Sequence, residues 1–174
     1  MAEEQVTDNE VLGAQMFEKA QKEYPYLADK DISFAYTPGK GDDRQLEFYH
    51  PEETERPAYI PRGKVGIEVF NPQVKPLDIL GDYVSHYAVN QDPALQALYK
   101  QFSGQLDPKV MQERYQYHQQ NFGEQRPYDQ WHEMTGLPEI FRGYTFNQWP
   151  DAKQMYTPEQ LQTLDKVRQY LNIK

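Results

Sequence analysis

The chain has 174 residues and a formal net charge of −9, a length for one domain or one domain with a small satellite. Its 27 acidic against 18 basic residues argue against binding nucleic acid by phosphate neutralisation, and the absence of cysteine excludes disulfides, Cys–zinc sites and thiol chemistry. Mean hydropathy is −0.95, a value that suits partial disorder, yet 14 Tyr, 8 Phe and 2 Trp exceed what disordered chains carry, so a folded, tyrosine-rich protein is expected.

The start, Met1-Ala2-Glu3-Glu4-Gln5, is acidic and no apolar stretch follows it. A secretory signal wants the reverse order of charge, so the sequence reads as one kept in a cytoplasm. No run approaches the roughly 18 to 20 apolar residues of a membrane helix. Thr7 followed by Glu10 forms a capping box. Val11, Leu12, Met16, Phe17 and Ala20 then fall on one face, which predicts a first helix over residues 8–23 that Tyr24-Pro25 ends.

Three short runs with period-two alternation follow: Ile32–Tyr36, Gln45–Tyr49 and Lys64–Phe70. Gly39-Lys40-Gly41-Asp42-Asp43 separates the first two in the manner of a hairpin turn, and a Pro-rich loop from Pro51 to Pro61 separates the last two. A small antiparallel sheet of about three strands is expected, needing a helix over one face.

From Pro76 the chain reads as helical. Leu77, Leu80, Val84, Tyr87 and Ala88 make an apolar stripe. Asp92-Pro93 and Asp107-Pro108 each pair an N-cap with proline at the first helical position, opening helices near 93–103 and 108–120. A shorter helix over Asp129–Met134 is closed by Gly136, and another covers Pro138–Arg142. Thr157-Pro158-Glu159-Gln160 is a capping box launching Leu161, Leu164, Val167 and Leu171. The fold class is α+β, a small antiparallel sheet covered by a helical majority. Residues 1–29 read as an N-terminal helical segment and 30–174 as a single α+β domain.

The histidines His50, His86, His118 and His132 form no HExxH, and no GxSxG, Walker-type loop or GxGxxG is present. No cofactor or metal is therefore expected. If the protein is an enzyme, its catalytic residues are Glu68, Asp82 and His86. Asp82 and His86 share a helix face at i, i+4, and Glu68 alternates away from Val65, Ile67 and Val69 toward a possible cleft. Carboxylate plus imidazole at this spacing makes an acid–base pair or half a metal site. The favoured alternative is an ordinary helix hydrogen bond between Asp82 and His86. Glu124, Arg126 and Trp131 can frame a ligand slot, with Arg142 in a similar setting. Against that, Arg126 pairs with Glu124, Trp131 fills core, Gly143 ends a helix and Arg142 satisfies its last carbonyls; these structural roles are favoured. Tyr115 and Tyr117 cannot share a helix face, so at least one is exposed and suits an interface.

Several of these segments carry a resemblance. Leu46-Glu47-Phe48-Tyr49-His50-Pro51-Glu52-Glu53, Gly66–Pro72, Gly81-Asp82 with His86, Gly123–Arg126 before Trp131, Arg142-Gly143-Tyr144 and Tyr156–Gln160 are similar to an uncharacterised protein family of tailed bacteriophages and prophages. The likeness covers roughly residues 30–172. It implies a phage origin, and a bacterial host cytoplasm or a virion, but brings no activity. A weaker likeness is to the zincin metallopeptidase core, a strand followed by a helix that bears HExxH. With Gly81 and Asp82 on the first two motif positions, Ser85 falls on the last and both histidine ligands are missing.

The first expectation is thus a phage-encoded accessory or virion-associated protein that binds another protein without catalysis, its oligomeric state open. The alternatives are a degenerate zincin-type hydrolase using Glu68, Asp82 and His86, and an acidic inhibitor that mimics nucleic acid.

Overall fold

A computed structural model describes residues 7–40 and 44–174. Gly41-Asp42-Asp43 of the expected hairpin turn and the acidic start lie outside the described residues. The class is α+β, and the chain divides into two compact units, Met1–Tyr87 and Ala88–Lys174.

The N-terminal unit opens with α1 (Asp8–Glu23), capped by Thr7, whose Oγ1 accepts from Glu10 N at 3.2 Å. The strands are β1 (Ile32–Tyr36), β2 (Leu46–Tyr49) and β3 (Val65–Val69). Their order is β1-β3-β2, with β1 parallel and β2 antiparallel to β3. The sheet is therefore mixed, which corrects the all-antiparallel expectation, and β1 and β2 are not hairpin partners. The reason lies in burial. β3 is buried at every position while β1 and β2 are half-buried throughout. The most apolar run takes the centre, where both edges and both faces are covered.

One sheet face meets helices. Phe17 of α1 stacks on Phe34 at 5.2 Å, and α1 packs against β1 and α2 (Pro76–Tyr83). The buried residues of α1 are Gly13 and Ala20, whereas Val11 and Leu12 are 44% and 46% exposed. Of the apolar stripe read from the sequence, Phe17 and Ala20 dock while Val11 and Leu12 are turned out, and the close approach to β1 falls at Gly13. Over the other face runs the Pro-rich loop. Arg56 ties it down, donating to the carbonyls of His50, Glu53, Pro61 and Lys64.

After α2 comes a π-helical turn, Val84–Ala88. The C-terminal unit holds α3 (Val89–Gln91), α4 (Pro93–Gly104), α5 (Pro108–Phe122), α6 (Tyr128–Trp131), a second π-helical turn (His132–Gly136), α7 (Leu137–Thr145) and α8 (Pro158–Tyr170). The Asp-Pro starts work as expected. Asp92 Oδ1 accepts from Ala94 N at 3.0 Å and Asp107 Oδ1 from Lys109 N at 2.9 Å. Thr157 and Gln160 form the reciprocal capping box of α8, at 3.1 and 2.9 Å. The core between α4, α7 and α8 contains Phe102, Phe141, Phe146, Leu164 and Val167. Gly136 does not close a helix. It continues into α7, and a Cβ there would lie 2.7 Å from the Trp131 ring.

Among the described residues, no helix is long and apolar enough to cross a membrane.

Candidate functional site

The three residues of the possible hydrolase are not brought to one point. Glu68 on β3 neighbours Glu47 of β2, while Ile67 neighbours Phe48. Side chains alternate across a strand, so Phe48 and Glu68 occupy opposite sheet faces. The His86 ring stacks on Phe48 at 5.2 Å. His86 is accordingly on the helix-covered face, and Glu68 on the face beneath the Pro-rich loop.

Glu68 is fully buried. Thr37 Oγ1 donates to Oε2 at 2.7 Å, Tyr49 OH to Oε1 at 2.8 Å, and Tyr59 OH also donates to Oε2. Lys40 Nζ lies 3.6 Å from Oε2 and donates to Tyr59 OH at 2.6 Å. Burial is the strongest single influence on the carboxyl and pushes its pKa up. The hydrogen bonds from Tyr59, Thr37 and Tyr49, with the Lys40 charge, outweigh it, and the net shift is downward. Burial and the Glu68 charge push the Tyr49 hydroxyl up, which keeps it a donor. An ionised carboxylate offers about four acceptor positions. Three hydroxyls occupy three of them and the Lys40 ammonium stands beside Oε2, so Glu68 is held as a buried anchor.

Asp82 and His86 do meet, with Nε2 3.4 Å from Oδ1. Asp82 is buried and His86 is half-exposed, at the π-helical turn where Ser85 Oγ donates to Gly81 O at 2.7 Å. Wide turns of this kind recur at functional positions. Here the turn presents His86 to Phe48 and Tyr87 to the His50 ring at 5.6 Å. Asp82 Oδ2 is enclosed without a hydrogen-bond partner among the described residues. Two groups supply an acid–base pair; no third ligand-bearing side chain joins them into a metal centre among the described residues.

In the C-terminal unit Glu124 and Arg126 form a two-pronged ion pair, Nε to Oε1 at 2.8 Å and Nη2 to Oε2 at 2.7 Å. Arg126 Nη2 also donates to Thr135 Oγ1 at 2.7 Å, and its backbone carbonyl accepts from Tyr115 OH. The Arg126 hydrogen bonds hold the Glu124 carboxyl down to about 2. Trp131 is fully buried, ringed by Tyr115, His118 and Tyr128 at 5.2, 5.3 and 5.8 Å. His132 follows it, half-buried, with burial lowering its pKa against the opposing charge of Asp129. These residues pin the loop before α6 and fill core, the structural roles weighed from the sequence.

Arg142 is half-buried on α7, with its charge felt by Tyr99. Gly143 does not end that helix. The helix runs on to Thr145, and glycine at 143 leaves room for the Trp149 ring, since a Cβ there would lie 2.3 Å from Cε3. Arg168 takes a capping role. Its Nη1 donates to Tyr144 O at 3.1 Å, Thr145 O at 3.0 Å and Asn147 Oδ1 at 3.0 Å, and Nη2 to Lys174 O at 2.8 Å.

Helix α5 is mostly exposed, with Met111 its one buried residue. Val110, Tyr117 and Phe122 are 45%, 56% and 70% exposed. With Arg114 and His118 they recur every three to five positions along one side, beside a groove of about 390 Å³ that also includes Glu113 and Glu139. Tyr117 and Phe122 meet edge-on at 5.9 Å, and Phe122 and His118 at 5.3 Å. An ion pair and an imidazole line the floor: Glu139 lies 3.3 Å from Arg114 Nη2 and 3.4 Å from His118 Nε2, and Arg114 covers Trp149 at 5.1 Å. The sequence signalled only that Tyr115 and Tyr117 part company; Val110, Phe122, Arg114 and Glu139 escaped it. A count of apolar residues on the polar side of a helix would have found the first two.

Compared with known proteins, the chain matches no family model, no curated protein and no solved structure. The phage-family likeness rests on its residues alone.

Proposed function

We propose that this is a non-catalytic binding module, a phage-encoded accessory or virion-associated protein that docks a protein partner on α5. The proposal places it in a bacterial host cytoplasm or in a virion. The observation that carries it is the row Val110, Tyr117 and Phe122, exposed above the fixed Arg114–Glu139–His118 group. Exposed aromatics beside an immobilised arginine match the composition of interface centres. The separation of Glu68 from Asp82 and His86 supports the non-catalytic reading, since a hydrolase using all three needs them at a common point.

The test is affinity capture from infected cells with wild type, Tyr117→Ala/Phe122→Ala and His86→Ala, all folded by circular dichroism. A partner kept by His86→Ala and lost by the double variant supports the docking face. A partner lost only with His86→Ala refutes it.

One observation favours a second reading, the nucleic-acid-mimicking inhibitor. The N-terminal unit carries 17 acidic against nine basic residues, a net charge of −8, while the C-terminal unit carries ten against nine, or −1. That reading requires capture by the N-terminal unit's charge, with binding that weakens steeply between low and physiological salt. Salt-insensitive capture rejects it.

A further inference from the structure

A groove of about 620 Å³ in the N-terminal unit follows the outer side of β1. It is lined by residues from both faces of that strand, Phe34 and Tyr36 from one and Ala35 and Thr37 from the other, and by none from β3. A groove that touches both faces of a strand but not its neighbour runs along the strand's free edge. Among the described residues β1 is an outer strand.

The backbone there is arranged for pairing. Thr37 N donates to Val69 O at 2.9 Å, on the β3 side. In a parallel ladder successive residues present their N–H and C=O to alternate sides. Ser33 and Ala35 therefore face β3, and Ile32, Phe34 and Tyr36 face outward. A Cβ at Gly13 would lie 3.2 Å from Tyr36 N, so α1 covers that end of the edge. Ile32 and Phe34 present the remaining outward groups. The opposite wall is the Glu10, Ala14 and Phe17 side of α1, with Phe17 stacked on Phe34 as an apolar floor. Tyr59 closes the far side, its hydroxyl tied to Glu68.

We propose that this edge binds an extended basic peptide, which adds a strand to β1 and seats apolar side chains against Phe17 and Phe34. Main-chain pairing supplies affinity in such complexes, and pockets for alternate side chains supply selectivity. The basic character follows from charge. Glu10 is the one charged side chain among the described groove residues, and the described residues of the unit carry 13 acidic against nine basic side chains. This site is separate from the α5 face and stands or falls independently of it.

The probe is a seven-residue peptide alternating valine with lysine, followed by fluorescence anisotropy and by amide shifts in the full chain. Two further peptides carry backbone N-methyl groups on the valines alone or on the lysines alone, and a fourth has glutamate for lysine. Strand addition uses one edge of the peptide, so one methylated peptide loses at least tenfold in affinity and the other does not. The Ile32 and Phe34 amides shift. The glutamate peptide binds at least tenfold more weakly, and Glu10→Lys narrows that gap. Ala14→Trp, on the exposed surface of α1, fills the groove and abolishes binding, whereas Tyr117→Ala/Phe122→Ala leaves it unchanged. Equal affinity of the two methylated peptides, no preference for lysine, or undiminished binding to Ala14→Trp overturns the proposal.

Discussion

The two units solve the problem of a modest apolar content in different ways. The N-terminal unit places a charge at its centre, with three hydroxyls and a lysine converging on Glu68. The C-terminal unit is built on aromatic packing around Trp131 and between Phe102, Phe141 and Tyr156. Its arginines tie loops and helix ends at the margin of that packing. The first unit holds nearly all of the net negative charge and the second exposes the aromatic row. Acid sensitivity of the core is therefore expected to belong to the first unit, with only a surface pair titrating in the second, and sensitivity to lost apolar volume to the second.

The largest effect is expected from Trp131→Ala. Removing a fully buried indole costs about 3–5 kcal/mol, read from urea unfolding followed by tyrosine fluorescence. A loss below about 1 kcal/mol would break the comparison at its C-terminal end. Glu68→Ala comes next, at about 2–4 kcal/mol, because three buried hydroxyls lose their common acceptor. The pH dependence has a definite sign. The folded pKa of Glu68 lies below its ordinary value, so its contribution is complete above the unfolded glutamate range and fades as pH falls through the folded value. Glu68→Gln removes that acid-dependent portion, and a variant whose acid profile matches wild type would contradict the account.

Arg168→Ala should cost about 1.5–3 kcal/mol, since a charged group satisfies several carbonyl oxygens at once. Arg168→Lys does not restore it, because an ammonium cannot span the same fork. Comparing the melting curves of the two variants settles whether the guanidinium geometry matters. The smallest effect at neutral pH is expected for Glu124→Gln, and its signature is again acid. With the folded pKa near 2, the contribution of the pair persists above the ordinary glutamate range and is lost as pH falls toward 2. A carboxyl carbon titration with a midpoint near 4.5 would show that the Arg126 pair does not form in solution.

Local chemistry was the legible part of this chain. Thr7, Asp92, Asp107 and Thr157 marked helix starts because capping depends on a few adjacent residues. The three strands were readable from alternation, to within one residue at each end. Their order was not, because the apparent turn at Gly39 gave no sign that β3 would come between β1 and β2. The helical pair Asp82–His86 was legible for the same local reason as the caps. Whether Glu68 joined it depended on sheet faces and on distant partners, Thr37 and Tyr59, that no short window contains. Gly136 and Gly143 misled in one direction. Each looked like a helix end, and each instead makes room for a tryptophan ring within a continuing helix.

The central claim is that the function resides in the exposed row on α5 and not in a catalytic centre at Asp82 and His86. The most direct measurement is the affinity of the captured partner for wild type and for Tyr117→Ala/Phe122→Ala at matched stability. Exposed substitutions of this kind shift stability by no more than about 0.5 kcal/mol. Truncating two interface aromatics is expected to weaken binding by at least tenfold, while Asp82→Asn and His86→Ala bind as wild type. Full affinity in the double variant, with loss in Asp82→Asn or His86→Ala, would contradict the account.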